Sequence, residues 1–195
     1  MATLTLSTKL EAVNTIIGAV GESPVNSLGT GTSRPQQVVI AETLLDDALR
    51  DIQSEGWHFN TQKKYTINRD VNNKAVLPAN TMRVDAHPGY HTDLDIVQRG
   101  STLYDVKNHT DEFTKDLTVD IVFLLQYTEM PEQFRRWATI RAARQMAARF
   151  IGSGEMELFT LRDEQDARAK ARRSDSDNAD HTIFGNYDIA QIIDR

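Results

Sequence analysis

The chain has no cysteine and only 5 prolines in 195 residues. The missing cysteines exclude disulfides, thiolate metal sites and a cysteine nucleophile, and they fit a reducing compartment. Long hydrophobic runs are missing too. No stretch approaches the roughly 18 apolar residues of a membrane span. The opening Met1-Ala2-Thr3-Leu4 lacks a basic region followed by an apolar one, so no secretory signal is expected. Basic residues are in the minority, 22 Lys and Arg against 28 Asp and Glu, for a net charge of −6. That balance argues against a general nucleic-acid binder but leaves room for a local basic patch. Apolar residues make up 39%, enough to build the core of one medium domain or two small ones.

Against this acidic background stands one basic helix. Pro131 suits a first helical position, where its missing N–H is not needed. Glu132 follows in the first turn, where negative charge meets the helix dipole. From Glu132 to Ile151 there is no Pro or Gly, and Ala, Arg, Gln and Met, all good helix formers, dominate. Phe134, Trp137, Ile140 and Met146 recur at helical spacing, and Gly152 supplies a stop. The helix carries Arg135, Arg136, Arg141, Arg144 and Arg149 against a single acid, Glu132. One reading is a solvated or internally paired face, with Arg135 and Arg136 meeting acids of the next helix. The sharper reading is a subunit or partner interface, because Arg forks carboxylates and tolerates partial burial. Contact with passing DNA phosphates is a third.

Elsewhere the pattern predicts three more helices around a small sheet. Thr8-x-x-Glu11 has capping-box spacing, and Leu10, Val13, Ile17 and Val20 mark a helical face ended by Gly21. A second helix runs from about Gln36 to Glu55, with Val38, Ala41, Leu45, Ala48 and Ile52 inward and Gly56 as its cap. From residue 60 the period changes to two. Tyr65 and Ile67, then Met82, Val84 and Ala86, alternate with polar neighbours. Arg99-Gly100-Ser101 reads as a hairpin turn. Val119, Ile121, Phe123 and Leu125 share one strand face while Val122 and Leu124 make the other apolar, so this strand is expected to be central. A fourth helix spans about 154–174, with Leu158 and Leu161 inward and a charged second half. The expected fold is therefore α+β: a four-helix bundle from 1–59 and 128–174, an antiparallel β domain inserted at 60–127 between helices two and three, and an acidic C-terminal tail, 175–195, that orders on docking.

No motif assembles a reactive site. Gly29-x-Gly31 lacks the third glycine and the Lys-Ser/Thr of a phosphate loop. His87 and His91, with Asp85 and Asp93 nearby, flank Pro88-Gly89 and read as structural or surface groups. Asp175-x-Asp177-x-x-Asp180 lacks the glycine and glutamate of a calcium loop. Glu129 with Glu132, or Glu155 with Glu157, offers the carboxylate pair of glycoside hydrolysis, as any acidic chain does. No catalytic, cofactor or metal residues are assigned, and the chain is not expected to be an enzyme.

Four stretches in order carry a resemblance: Glu11-Ala-Val-Asn-Thr-Ile-Ile-Gly-Ala-Val-Gly-Glu-Ser-Pro-Val25, Ile52-Gln-Ser-Glu-Gly-Trp-His-Phe-Asn60, Val97-Gln-Arg-Gly-Ser-Thr-Leu-Tyr-Asp-Val-Lys-Asn-His-Thr-Asp-Glu-Phe113, and Glu129-Met-Pro-Glu-Gln-Phe-Arg135 continuing through Arg141-Ala-Ala-Arg144. Together they resemble the tail tubular protein A family, the head-to-tail adaptors, or gatekeepers, of short-tailed double-stranded DNA phages. The resemblance implies a structural virion protein made in the host cytoplasm. It implies a dodecameric ring below the portal protein, holding the tail nozzle protein (tail tubular protein B) and lining the channel through which genomic DNA leaves. The family supplies no catalytic motif and no membrane association. On this basis the sheet domain is expected to meet the nozzle or tail fibres, and Ile183, Phe184, Tyr187 and Ile189 of the tail to dock on the portal. A glycan-hydrolysing tail protein and a DNA-binding module are the alternatives.

Overall fold

Thr8 and Glu11 form the capping box their spacing predicts. The Thr8 hydroxyl accepts from the Glu11 N–H at 3.2 Å, and the Glu11 carboxylate accepts from the Thr8 N–H at 2.8 Å. They open α1 (Lys9–Gly18), which buries Ala12, Val13, Ile16 and Ile17. Gly21, at φ +82, lets the Glu22 N–H return to the Ile17 carbonyl. The computed structural model describes residues 5–29, 34–150 and 154–179, with backbone alone for 154–160. The elements that follow are α2 (Gln36–Ser54), β1 (Thr61–Ile67), β2 (Thr81–Ala86), β3 (Ile96–Arg99), β4 (Thr102–Asp105), β5 (Leu117–Phe123), α3 (Glu132–Phe150) and α4 (Gly154–Asn178). The class is α+β, with four helices and small antiparallel sheets.

One compact unit is built from Met1–Ile52 and Leu125–Asp177, the other from Gln53–Leu124. In the helical unit α1 packs on α3. The inner stripe of α2 is Val38, Ala41, Leu45, Ala48 and Ile52, and that of α3 includes Phe134, Trp137, Ala138, Ala142 and Met146. Burying a stripe of this kind stabilises each helix by about 1.5–3 kcal/mol per large apolar side chain. Two expectations about α4 are corrected. Leu161 does not face inward but is 39% exposed; the buried positions are Ala167 and Ala171, four residues apart on one face. The charged half is thus not polar all round, because a narrow alanine seam lets it lie against its neighbours. The helix also runs to Asn178 rather than stopping near 174; no Gly or Pro follows Gly154 before Gly185 to end it.

In the sheet unit the strand order is β1-β5-β2, all antiparallel, with β5 in the middle as its two apolar faces predict. Leu117, Val119 and Ile121 face a core shared with Ile67, Val84 and Phe113. Ile96 and Leu103 of the β3–β4 hairpin complete that core. Gly100, at φ +63, makes the hairpin turn between Arg99 and Thr102.

The entry to this unit depends on two residues. Gly56 sits at φ +78, and a Cβ there would lie 2.7 Å from the Arg83 guanidinium and 3.3 Å from a Val122 methyl. Asn60 locks the turn that follows. Its Oδ1 accepts from the Trp57 N–H at 2.8 Å, and its Nδ2 donates to the Gln53 and Phe123 carbonyls at 3.0 and 2.9 Å. Gly56→Ala is therefore expected to destabilise the chain by about 2 kcal/mol, seen as a lower denaturant midpoint with unchanged slope. Gly18→Ala is the control. A Cβ at Gly18 meets nothing within 4 Å, and Gly18 is helical, so this change should be neutral or slightly stabilising.

Candidate functional site

The five arginines of α3 do not share a face. At about 100° per residue, positions 135, 136, 141, 144 and 149 are distributed around the helix. Their surroundings differ accordingly.

Arg135 is 5% exposed. Pro131 and the turn at Tyr127–Glu129 leave carbonyls before α3 without helical partners, and the Arg135 fork takes them up. Its Nε donates to the Met130 carbonyl at 2.7 Å, one Nη to the Ser7 carbonyl at 3.0 Å, and the other to the Thr128 carbonyl. The Tyr127 ring lies 5.6 Å from the guanidinium. Glu132 completes the node, accepting from the Ser7 N–H and the Ser7 hydroxyl, both at 3.0 Å. The expectation that Arg135 meets acids of α4 is corrected: its donors go to the Met130, Ser7 and Thr128 carbonyls, and it holds the N-terminal segment on α3.

Arg141 and Arg144 tie three helices together. Arg141 reaches Asp51 of α2 at 2.9 Å, and its Nε lies 3.9 Å from Glu164 of α4. Arg144 donates to the same Glu164 at 2.5 Å. Glu164 is half-buried, so this pairing is stronger than a solvated one. Nearby, the Arg168 guanidinium lies 5.5 Å from the Trp137 ring. An arginine–α4 pairing thus exists, but through Arg141 and Arg144 rather than Arg135 and Arg136. Arg136 and Arg149 are exposed. Arg136 borders an open cleft of about 160 Å³ lined also by Ser7, Glu11, Thr15, Tyr127 and Glu132.

In the sheet unit the third resembling stretch is used for architecture. The Arg99 guanidinium lies 3.4 Å from the Tyr104 ring centre. Asp105, 1% exposed, organises the loop after β4. It accepts from the N–H groups of Asp95, Lys107 and Asn108 at 3.3, 3.0 and 3.3 Å, and from the Asn108 amide at 2.5 Å. His87 and His91 belong to a turn against β5. Among the described residues no group of three His, Asp or Glu could hold a metal ion. The Glu129 carboxylate caps the Gln126 N–H at 2.8 Å, and Glu132 is held by Ser7. Glu155 and Glu157 have no described side chains, and Gly31, Ile183, Phe184, Tyr187 and Ile189 lie outside the described residues.

Ser7, Asn60, Asp105 and Glu164 were not singled out by sequence reasoning as structural nodes. Asp105 alone carried a signal: a carboxylate at the end of a strand, two and three residues before N–H groups it accepts from, is the pattern of a side chain closing its own turn.

A family model described as Tube: Tail tubular protein matches residues 10–181. No curated protein matches the chain. Among the described residues no helix is long and apolar enough to cross a membrane.

Proposed function

The chain belongs to the tail tubular protein family, which makes it a structural component of a phage tail, and from that premise we propose that it is the adaptor between portal and tail nozzle. In this reading copies form a dodecameric ring whose centre passes the DNA. The observation that carries it is the reach of the family match, residues 10–181, which takes in most of both compact units. The charge pattern supports it. Arg136 and Arg149 project from α3, and Asp47 is exposed on α2. Pairing such surfaces head to tail between neighbours closes a ring when the rotation per subunit divides a full turn. The sheet unit faces the nozzle and tail fibres. The tail docks on the portal through Ile183, Phe184, Tyr187 and Ile189. No observation favours the alternatives: Glu129 caps the Gln126 N–H, Glu132 accepts from Ser7, and Arg141 and Arg144 are paired with carboxylates.

Electron microscopy of the purified protein mixed with its portal tests the reading. Rings stacked on portals are expected. Because α4 continues through Asn178, the matching truncation removes residues 179–195. That truncation is expected to abolish portal binding while leaving the melting temperature unchanged. Portal binding at full strength after the truncation refutes the tail assignment, and absence of any portal complex with the intact chain refutes the adaptor role.

A further inference from the structure

His87 and His91 bound one turn of chain that caps the end of the three-stranded sheet. β2 ends with Ala86 opposite Val119. The next residue of β5, Thr118, which pairs with Thr66 of β1 on one side, is gripped on its β2 side by the turn. Its carbonyl accepts from the His87 N–H at 3.1 Å, and its N–H donates to His91 Nε2 at 2.9 Å. The turn closes on itself, with the Tyr90 and His91 N–H groups both donating to the His87 carbonyl at 3.0 and 3.3 Å.

The two imidazoles hold opposite ends by opposite chemistry. His87 Nδ1 lies 2.8 Å from the Asp120 carboxylate. Asp120 also accepts from the Lys64 N–H at 3.0 Å, at a bulge of β1 where Lys64 takes φ +58. A carboxylate only accepts, so His87 Nδ1 is the donor in this contact. His91 is the reverse case. Only an unprotonated nitrogen accepts, so His91 Nε2 carries no hydrogen and Nδ1 does. Nδ1 is buried without a hydrogen-bond partner. A second proton must go to Nε2, where it meets the Thr118 N–H head on. That breaks the bond and strands a backbone donor of the central strand.

We infer that the 87–91 turn is an acid-sensitive latch, in which protonation of His91 frees its end from β5 while His87 stays fixed to Asp120, so that the segment 88–93 swings about His87, with Leu94 held on the core and Asp95 held by Asp105. Around His91 the charged groups are Asp93 on its own loop and Lys115 before β5, 3.6 Å apart. On the far side of the turn stand His87, Asp120 and the exposed Asp85 of β2. Burial first, then Lys115, holds the His91 imidazole below its ordinary 6.5, with Asp93 opposing. A depressed histidine binds fewer protons folded than unfolded. Its contribution to stability is therefore complete above 6.5 and is lost as pH falls from there toward the folded value. The latch is shut at neutral pH. Tyr90, 57% exposed, with its ring 5.6 Å from that of His87 and 6.0 Å from Lys64 Nζ, rides on the moving loop. Acid therefore changes how this aromatic surface is displayed.

The test is amide hydrogen exchange of the full chain, followed by NMR at about pH 7.5 and about pH 5 and corrected for intrinsic exchange. The Thr118 protection factor is expected to fall at least about tenfold in acid, while that of Ile121 holds. His91→Gln keeps an acceptor but does not titrate, so its Thr118 protection should not depend on pH. If that variant does not fold, the wild-type His91 ring signals decide, because their titration midpoint must coincide with the loss at Thr118. Equal Thr118 protection at both pH values, the same acid loss in His91→Gln, or titration of His91 without change at Thr118 each overturns the latch.

Discussion

Replacing Arg135 by alanine is expected to destabilise the helical unit by roughly 3–5 kcal/mol, the largest effect of any single α3 arginine. Three carbonyls, those of Ser7, Thr128 and Met130, lose their donor at once. The site is 5% exposed, so water does not readily replace the guanidinium. The N-terminal segment should detach first, because among the described residues Ser7 is held by this node, through Arg135, Glu132 and Tyr127. Calorimetry should show a fall of about 10 °C or more in the melting transition. Hydrogen exchange should show early loss at Ser7. Arg135→Lys should recover little, since an ammonium cannot reproduce the planar fork that serves three acceptors. By contrast Arg136→Ala, at an exposed position, should stay within about 0.5 kcal/mol in the isolated chain. Equal stability losses at the two positions would sink this division of labour.

Asp105→Ala should cost the sheet unit about 3–4 kcal/mol, because hydrogen bonds to an ionised acceptor are worth about 1.5–3 kcal/mol each but overlap in one short loop. Four donors lose their acceptor, three of them backbone N–H groups of Asp95, Lys107 and Asn108. The loop after β4 should then lose its shape around His109, which takes φ +54. Urea unfolding read by tryptophan fluorescence gives the magnitude, and Lys107 and Asn108 amide exchange locates it. Asp105→Asn should recover part of the loss, since one acceptor oxygen remains. The pH dependence follows from the same contacts. Burial pushes the Asp105 carboxyl up, but the Asn108 side chain and the N–H groups of Asp95, Asn108 and Lys107 outweigh it and hold the group below its ordinary 3.8. Its folded pKa is thus depressed. The stabilisation is complete above the ordinary carboxylate range and is lost as pH falls through 3.8 toward the folded value. Asp105→Ala should therefore flatten the acid limb of the stability curve.

The helices and strands were legible because their signals are local. Thr8 and Glu11 are three residues apart, and the turn at Gly100 lies inside a single hairpin. The two apolar faces of β5 announced its central place before any pairing was known. The family resemblance was legible for a related reason: each quoted stretch contains a tight structural node, such as Gly56 with Asn60, or Arg99 with Tyr104 and Asp105. The arginine helix was legible as a helix, but not the different surroundings of its five arginines. Counting its charges suggested one basic face, although the helical period alone scatters them around the axis.

By itself the sequence determined the α+β class, the order of the elements, the capping box of α1 and the inward stripes of α1, α2 and α3, because those follow from periods of 2 and 3.6 residues and from backbone chemistry at element ends. Tertiary structure alone decided which charged groups are paired within the chain and which stay exposed. Arg135 finds Ser7 across 128 residues of chain, and Arg141 finds Asp51 across 90. Such pairings depend on which carbonyls and carboxylates the packed helices happen to bring within a few ångströms, and no local pattern of residue types encodes that proximity.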